Sequence, residues 1–142
     1  MKKNILLESI KTVSVEKAKE YNILALAFIG DAVHTLYVRT NLIFSNNIQS
    51  GKLHTMSKDH IKASAQSIAL DNIYDILDKE EISFVSRARN AKHKTFAKNA
   101  TVSDYNAATS FEALIGFLYI TGQSCRLYEL LLKAYEGIDN EN

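Results

Sequence analysis

Between Ile23 and Leu42 the chain is apolar except at a few positions, chiefly Gly30, Asp31, His34 and Arg39. Its apolar residues Leu26, Ile29, Val33, Leu36 and Tyr37 recur three and four apart. That period and a length beyond any ordinary strand predict a buried helix. Ser14, ahead of Val15-Glu16-Lys17, offers a cap for an earlier helix reaching Tyr21. Ser45-Asn46-Asn47 and Gln49-Ser50-Gly51 read as turns. Leu53 to Leu70 then reads as one helix, Ala-rich after Lys62, with a short continuation from Ile73 to Leu77. Lys79-Glu80-Glu81 opens a further segment reaching Arg89. Ser86 to Ser103 is polar and basic with weak periodicity, the pattern of a helix end followed by an exposed loop. A second apolar helix is predicted over Asp104 to Tyr119 and an amphipathic one over Arg126 to Tyr135, with a frayed polar end from Gly137 to Asn142. The fold class that follows is all-α.

Composition supports that reading. The 142 residues contain no proline and 5 glycines, so the two strongest helix breakers are almost missing. With 46% hydrophobic and 23% charged residues the chain has the balance of a globular protein and suits a single domain over residues 1–142. Cys125 is the one cysteine, which excludes an internal disulfide and a Cys-based zinc site. No uninterrupted run of about 18 apolar residues occurs, so no membrane span and a cytoplasmic location are expected.

Charge alters the picture through its placement. Lys and Arg number 17 against 16 Asp and Glu, a formal net charge of +1. Asp31 is nevertheless the lone charge between Tyr21 and Val38, and Glu112 the lone charge between Tyr105 and Cys125. A carboxylate on an apolar helix is costly unless it is paired, hydrogen-bonded or bound to a cation. An ion pair, for instance with Arg39 or Arg126 in a helical interaction protein, is one answer. The other is a hydrated hard cation held between two carboxylates with small neighbours, since Mg²⁺ takes one or two carboxylates and keeps several waters. That arrangement suits phosphodiester hydrolysis by metal-activated water.

Arg87, Arg89, Lys92, Lys94 and Lys98, with His93, occupy a segment that contains no acid, whereas Asp71 to Glu81 is strongly acidic. A charge run of this kind reads either as a solvated loop or as a phosphate-binding surface. Interleaved Ser86, Asn90, Thr95 and Asn99 add hydrogen-bonding groups suited to phosphate and sugar. Phe96 is the single aromatic there, which favours the backbone of a duplex over stacked single-stranded bases. His34 shares a helical face with Asp31 as a packing or supporting residue, while His54, His60 and His93 lack metal-ligand spacing and Cys125 lacks a neighbouring base.

Phe28-Ile29-Gly30-Asp31-Ala32-Val33 resembles the signature segment of the ribonuclease III family, and Phe111-Glu112-Ala113-Leu114-Ile115-Gly116 its second acidic motif. Leu53-His54, Arg87-Ala88-Arg89-Asn90-Ala91-Lys92 and Ala108-Thr109-Ser110 resemble more narrowly the Mini-ribonuclease III branch, which consists of the catalytic domain alone. The resemblance runs from about Asn22 to Leu131. It implies a homodimeric, Mg²⁺-dependent endonuclease that cleaves double-stranded RNA to 5′-phosphate and 3′-hydroxyl ends. The implied task is maturation of the 23S ribosomal RNA precursor, with a ribosomal protein or precursor particle as a partner. Asp31 and Glu112 match the metal-binding catalytic carboxylates, and Phe28 matches an aromatic residue that enters a pocket on the partner subunit. Arg87, Arg89, Asn90, Lys92, Lys94 and Lys98 are the candidate RNA contacts. Leu24, Ala27 and Thr109 stand where larger relatives have acids. Ala88 and Ser110 stand where the branch usually has Gly, which would stiffen the backbone near RNA, and Asn106 stands where Arg is expected. The alternative is a non-catalytic RNA-binding or ribosome-associated protein that keeps the fold; the two retained acids argue against it.

Overall fold

The computed structural model describes residues 10–91 and 101–136, and every regular element among them is helical. The α-helices are α1 (Val15–Glu20), α2 (Ile23–Ser45), α3 (Ser50–Ile61), α4 (Ala63–Ile73), α5 (Lys79–Asn90), α6 (Val102–Ile120) and α7 (Ser124–Ala134), with a 3₁₀ turn at Tyr74–Ile76. Helix α6 is the axis of the fold, packed by α2, α4, α5 and α7. Ten of its 19 residues are buried, from Ala107 to Leu118, as expected of a helix that is apolar all round. Around it Leu70, Ile73, Phe84, Phe111, Phe117, Leu118 and Leu130 form the centre of the core. The Phe84 and Phe117 rings stack there with centroids 3.9 Å apart.

Side-chain caps start four of the helices. Ser14 accepts from Lys17 N–H as the sequence predicts, Asn22 from Leu24 N–H, and Thr101 from Asp104 N–H. Asp78 and Glu81 form a reciprocal capping box at the start of α5. The same Glu81 is buried and receives two guanidinium N–H groups of Arg126, at 2.8 and 2.9 Å. Arg126 also donates to the carbonyl of Ile76, so this pair locks α7 to the corner before α5.

Three expectations change. The helix expected over Leu53 to Leu70 is two helices, because Lys62 is extended (ψ 153°) and serves as the end of α3 and the start of α4. Neither glycine nor proline marks this corner; hydrogen bonding to the Ile61 and Lys62 carbonyls holds it. Ser50 and Gly51 belong to α3 rather than to a turn. Helix α2 runs on to Ser45 and is buried along one face only, through Leu26, Ala27, Gly30, His34, Val38 and Leu42. By length and composition it is apolar enough to cross a membrane, with a mean hydropathy of 1.3 over an 18-residue window, yet it packs along α6 and carries Asp31. The frayed end expected after Gly137 lies outside the described residues.

Candidate active site

The site begins where α2 crosses α6 with almost no side chain between the backbones. A Cβ on Gly30 would lie 1.7 Å from the Glu112 carbonyl oxygen, and one on Gly116 would lie 1.9 Å from that of Leu26. Only hydrogen at both positions permits this approach. Asp31 follows Gly30, so the crossing brings its carboxylate close enough to that of Glu112 for the two charges to interact. Asp31 is exposed and Glu112 half-buried, which corrects the picture of two acids enclosed in buried helices. Burial, then the adjacent negative charge of Asp31, pushes the Glu112 carboxyl up to about 8, against a smaller opposing pull from the Gln66 amide.

Among the described residues neither acid has an ion-pair partner, and Arg126, one partner considered for them, is engaged by Glu81 and Glu129. Two adjacent carboxylates without a base form a site whose charge a cation would relieve. No group of three or more His, Cys, Asp or Glu side chains suited to a metal occurs among the described residues. The donor set is therefore hard, oxygen-only and sparse, which fits a cation that keeps much of its hydration shell, as Mg²⁺ does. Asp31 and Glu112 are the residues that would hold it.

Phe28 is 82% exposed, so it does not pack in the core of its own chain. With Ala32, Leu36 and Ile43 it lines one face of α2 at helical spacing, an apolar stripe next to Asp31. Arg87, Arg89 and Asn90 are exposed at the C-terminal end of α5. Arg87 stacks over the Phe84 ring at 5.5 Å, with a long contact (3.5 Å) to the Tyr21 carbonyl. Arg89 and Asn90 make no ion pair with the carboxylates, and Lys92, Lys94 and Lys98 lie outside the described residues, as does His93.

His34 is a packing residue. It is fully buried, edge-on to Phe111 and stacked on Tyr135, to whose hydroxyl its Nε2 is hydrogen-bonded. Burial, helped by nearby His60, lowers it to about 4, so it is neutral near pH 7. Ala88 and Ser110 are fully buried, Ala88 with Ala27 and Ala113, and Ser110 donating to the Asn106 carbonyl. Both therefore act in helix packing. Sequence reading missed Gln66, which carries no periodic or charge signal inside its Ala-rich run. It also missed Glu81, although the spacing of Asp78 and Glu81 is that of a capping box.

A family model described as the ribonuclease III domain matches residues 24–123, which include the crossing and both acids. The chain belongs to the ribonuclease III family. Among curated relatives, a Mini-ribonuclease 3 of Thermoanaerobacter sp. is 40% identical over 133 residues, covering 94% of each chain. One of Clostridium tetani is 43% identical, covering 80% of this chain and 76% of the relative. A crystal structure of a protein from Fusobacterium nucleatum superposes with a TM-score of 0.73 at 34% identity, covering 83% of this chain and 94% of that one. Family membership at this level, within the Mini-ribonuclease 3 branch, places the protein among the endoribonucleases.

Proposed function

We propose that the protein is a Mg²⁺-dependent endoribonuclease that cleaves double-stranded RNA as a homodimer in the cytoplasm. The observation that carries this reading is the apposition of Asp31 and Glu112 by the glycine-to-backbone crossing of α2 and α6. Setting Glu112 half-buried beside Asp31 is unfavourable for two passive carboxylates, and a cation bound between them relieves that cost. The chemistry a bound divalent cation supplies is activation of water and neutralisation of charge on the phosphodiester, giving 5′-phosphate and 3′-hydroxyl ends. The protein's own part is to fix two oxygen donors on rigid helices and to present the duplex backbone to them.

Arg87, Arg89 and Asn90, continued in sequence by Lys92, Lys94 and Lys98, supply phosphate-binding groups of the sequence-independent kind. The stripe of Phe28, Leu36 and Ile43 supports the homodimer, because an apolar row of this exposure on one helix suits burial against a second copy. The resemblance to the Mini-ribonuclease III branch supports a role in ribosomal RNA maturation, with the 23S precursor as substrate and a ribosomal protein or precursor particle as partner.

The test is incubation of a long RNA duplex with wild-type protein, Asp31→Asn and Glu112→Gln, with and without Mg²⁺, with products resolved on a gel. Wild type cleaves only with metal. Each variant loses most cleavage, by on the order of a hundredfold or more, while still binding RNA. Near wild-type cleavage by either variant in saturating Mg²⁺ places the chemistry elsewhere.

A further inference from the structure

Gln66 stands in α4, facing α6, and is 3% exposed. Its Nε2 donates to the Ile61 carbonyl at 2.7 Å, and its backbone N–H donates to the Lys62 carbonyl at 3.1 Å. It thus closes the corner between α3 and α4 through both its main chain and its side chain. A carbonyl oxygen can only accept, so the amide nitrogen must face Ile61. One of its two N–H groups is used there, leaving the other free on the side of the amide that lowers the Glu112 carboxyl. Oε1 is buried and has no donor among the described residues.

A buried acceptor without a partner carries the full cost of its lost hydration. Such groups are therefore rare in folded proteins and call for an explanation. Packing does not supply one here, since methionine or leucine would fill the same space without leaving an orphan oxygen. The amide joins three things that otherwise have no common link. They are the terminal carbonyl of α3, the first turn of α4 and the half-buried acid of α6.

We infer that Gln66 is a positioning residue of the metal site, holding the Glu112 carboxylate ready to ligate and offering Oε1 to a water of the cation's hydration shell. This rests on the assignment of Asp31 and Glu112 as the metal-holding pair. Partners that orient a ligating carboxylate contribute measurably to metal affinity, and their loss typically weakens it by tenfold or more. The cation expected here keeps several waters, which need acceptors around the site. Gln66 provides one without adding charge.

Two substitutions of similar size separate positioning from packing. In Gln66→Met both the N–H donor and the oxygen are lost but the volume is kept. Isothermal titration of the RNA-free protein with Mn²⁺ then shows affinity weakened by roughly tenfold. In cleavage assays the Mg²⁺ concentration for half-maximal rate rises while the maximal rate is largely retained, a split that general loss of packing would not produce. Gln66→Glu keeps an oxygen at the same place and adds a third carboxylate, so Mn²⁺ binds more tightly than to wild type. If Gln66→Met does not fold, as checked by thermal unfolding, Gln66→Glu decides alone. Wild-type Mn²⁺ affinity in the folded variants, with affinity lost in Glu112→Gln, overturns the role of Gln66 and leaves the acid pair in place. Wild-type affinity in Glu112→Gln itself shows that the site is elsewhere, and the role of Gln66 falls with it.

Discussion

Glu112 is set against both its own burial and the charge of Asp31. Its carboxyl is raised from 4.5 to about 8, first by burial and then by Asp31. The proton is therefore held more tightly in the folded than in the unfolded state, and the associated stabilisation is present at low pH. It is lost as pH rises toward and through the folded value near 8. A cation must displace that proton to be bound by the carboxylate. Metal affinity should accordingly climb with pH up to about 8 and level off above it, measured by Mn²⁺ titration of the RNA-free protein. In the metal-free protein Glu112→Gln should raise unfolding stability most at pH 8 and above, where the wild-type carboxylate is charged, and little at pH 5. A pH-independent metal affinity would show that Glu112 does not ligate. Part of this was legible beforehand, because Asp31 and Glu112 were conspicuous as lone charges in apolar stretches. Their different exposure was not, since it depends on how α2 lies across α6.

At the scale of elements, the Glu81–Arg126 pair makes the clearest prediction. Burial alone would raise the Glu81 carboxyl, but hydrogen bonds from Arg126 and from the Asp78 N–H outweigh it and hold Glu81 below the usual carboxylate range. Glu81 has 2% of its side-chain area exposed and Arg126 26%, so water screens the pair only from the arginine side. Arg126→Met should leave a buried charge unmatched and destabilise the fold by about 3–5 kcal/mol, measured by urea unfolding at pH 7. A second change, Glu81→Leu, made in the Arg126→Met background, should recover much of the loss, because it removes that unmatched charge. A loss below about 1 kcal/mol in the single variant would show that the pair contributes no more than a surface bridge. The two residues are 45 apart in sequence, and no local pattern joins them. The capping box that starts the same helix needs only a three-residue spacing, and was there to be read.

The whole molecule leaves an apolar row exposed along α2. Leu36 and Ile43 are 52% and 55% exposed on the α2 face that also carries Phe28 at 82%. Within one subunit Phe28 contributes almost nothing to the core, so Phe28→Ala should change monomer stability by no more than about 0.5 kcal/mol. If the stripe is the contact between subunits, the same substitution should convert a dimer into a folded monomer in analytical ultracentrifugation, with cleavage reduced accordingly. Truncation of a fully buried Phe costs about 3–5 kcal/mol, enough to weaken association by more than a hundredfold when the pocket is on the partner. A Phe28→Ala protein that still sediments as a tight dimer would move the interface to another face.

What the sequence determined by itself was set by local and periodic rules. Scarce glycine, absent proline and three-to-four spacing required helices, and the resemblance of the Gly30-Asp31 and Phe111-Glu112 segments located the acids. The Ser14 cap, the approximate extents of α2, α5, α6 and α7, and the family itself followed from positions along the chain. The remainder depended on approach between distant segments. The break at Lys62 lacks a breaker residue because backbone and side-chain hydrogen bonds to the Ile61 and Lys62 carbonyls form it. Gly30 and Gly116 stand 86 residues apart, and their joint role emerges only when α2 meets α6 at backbone distance. The same crossing sets two isolated carboxylates beside each other, which with burial raises the Glu112 carboxyl. Periodicity records which face of a helix is apolar. Which helix covers that face, and whether it stays exposed as on α2, is a tertiary outcome because it depends on the volume and approach of every neighbour.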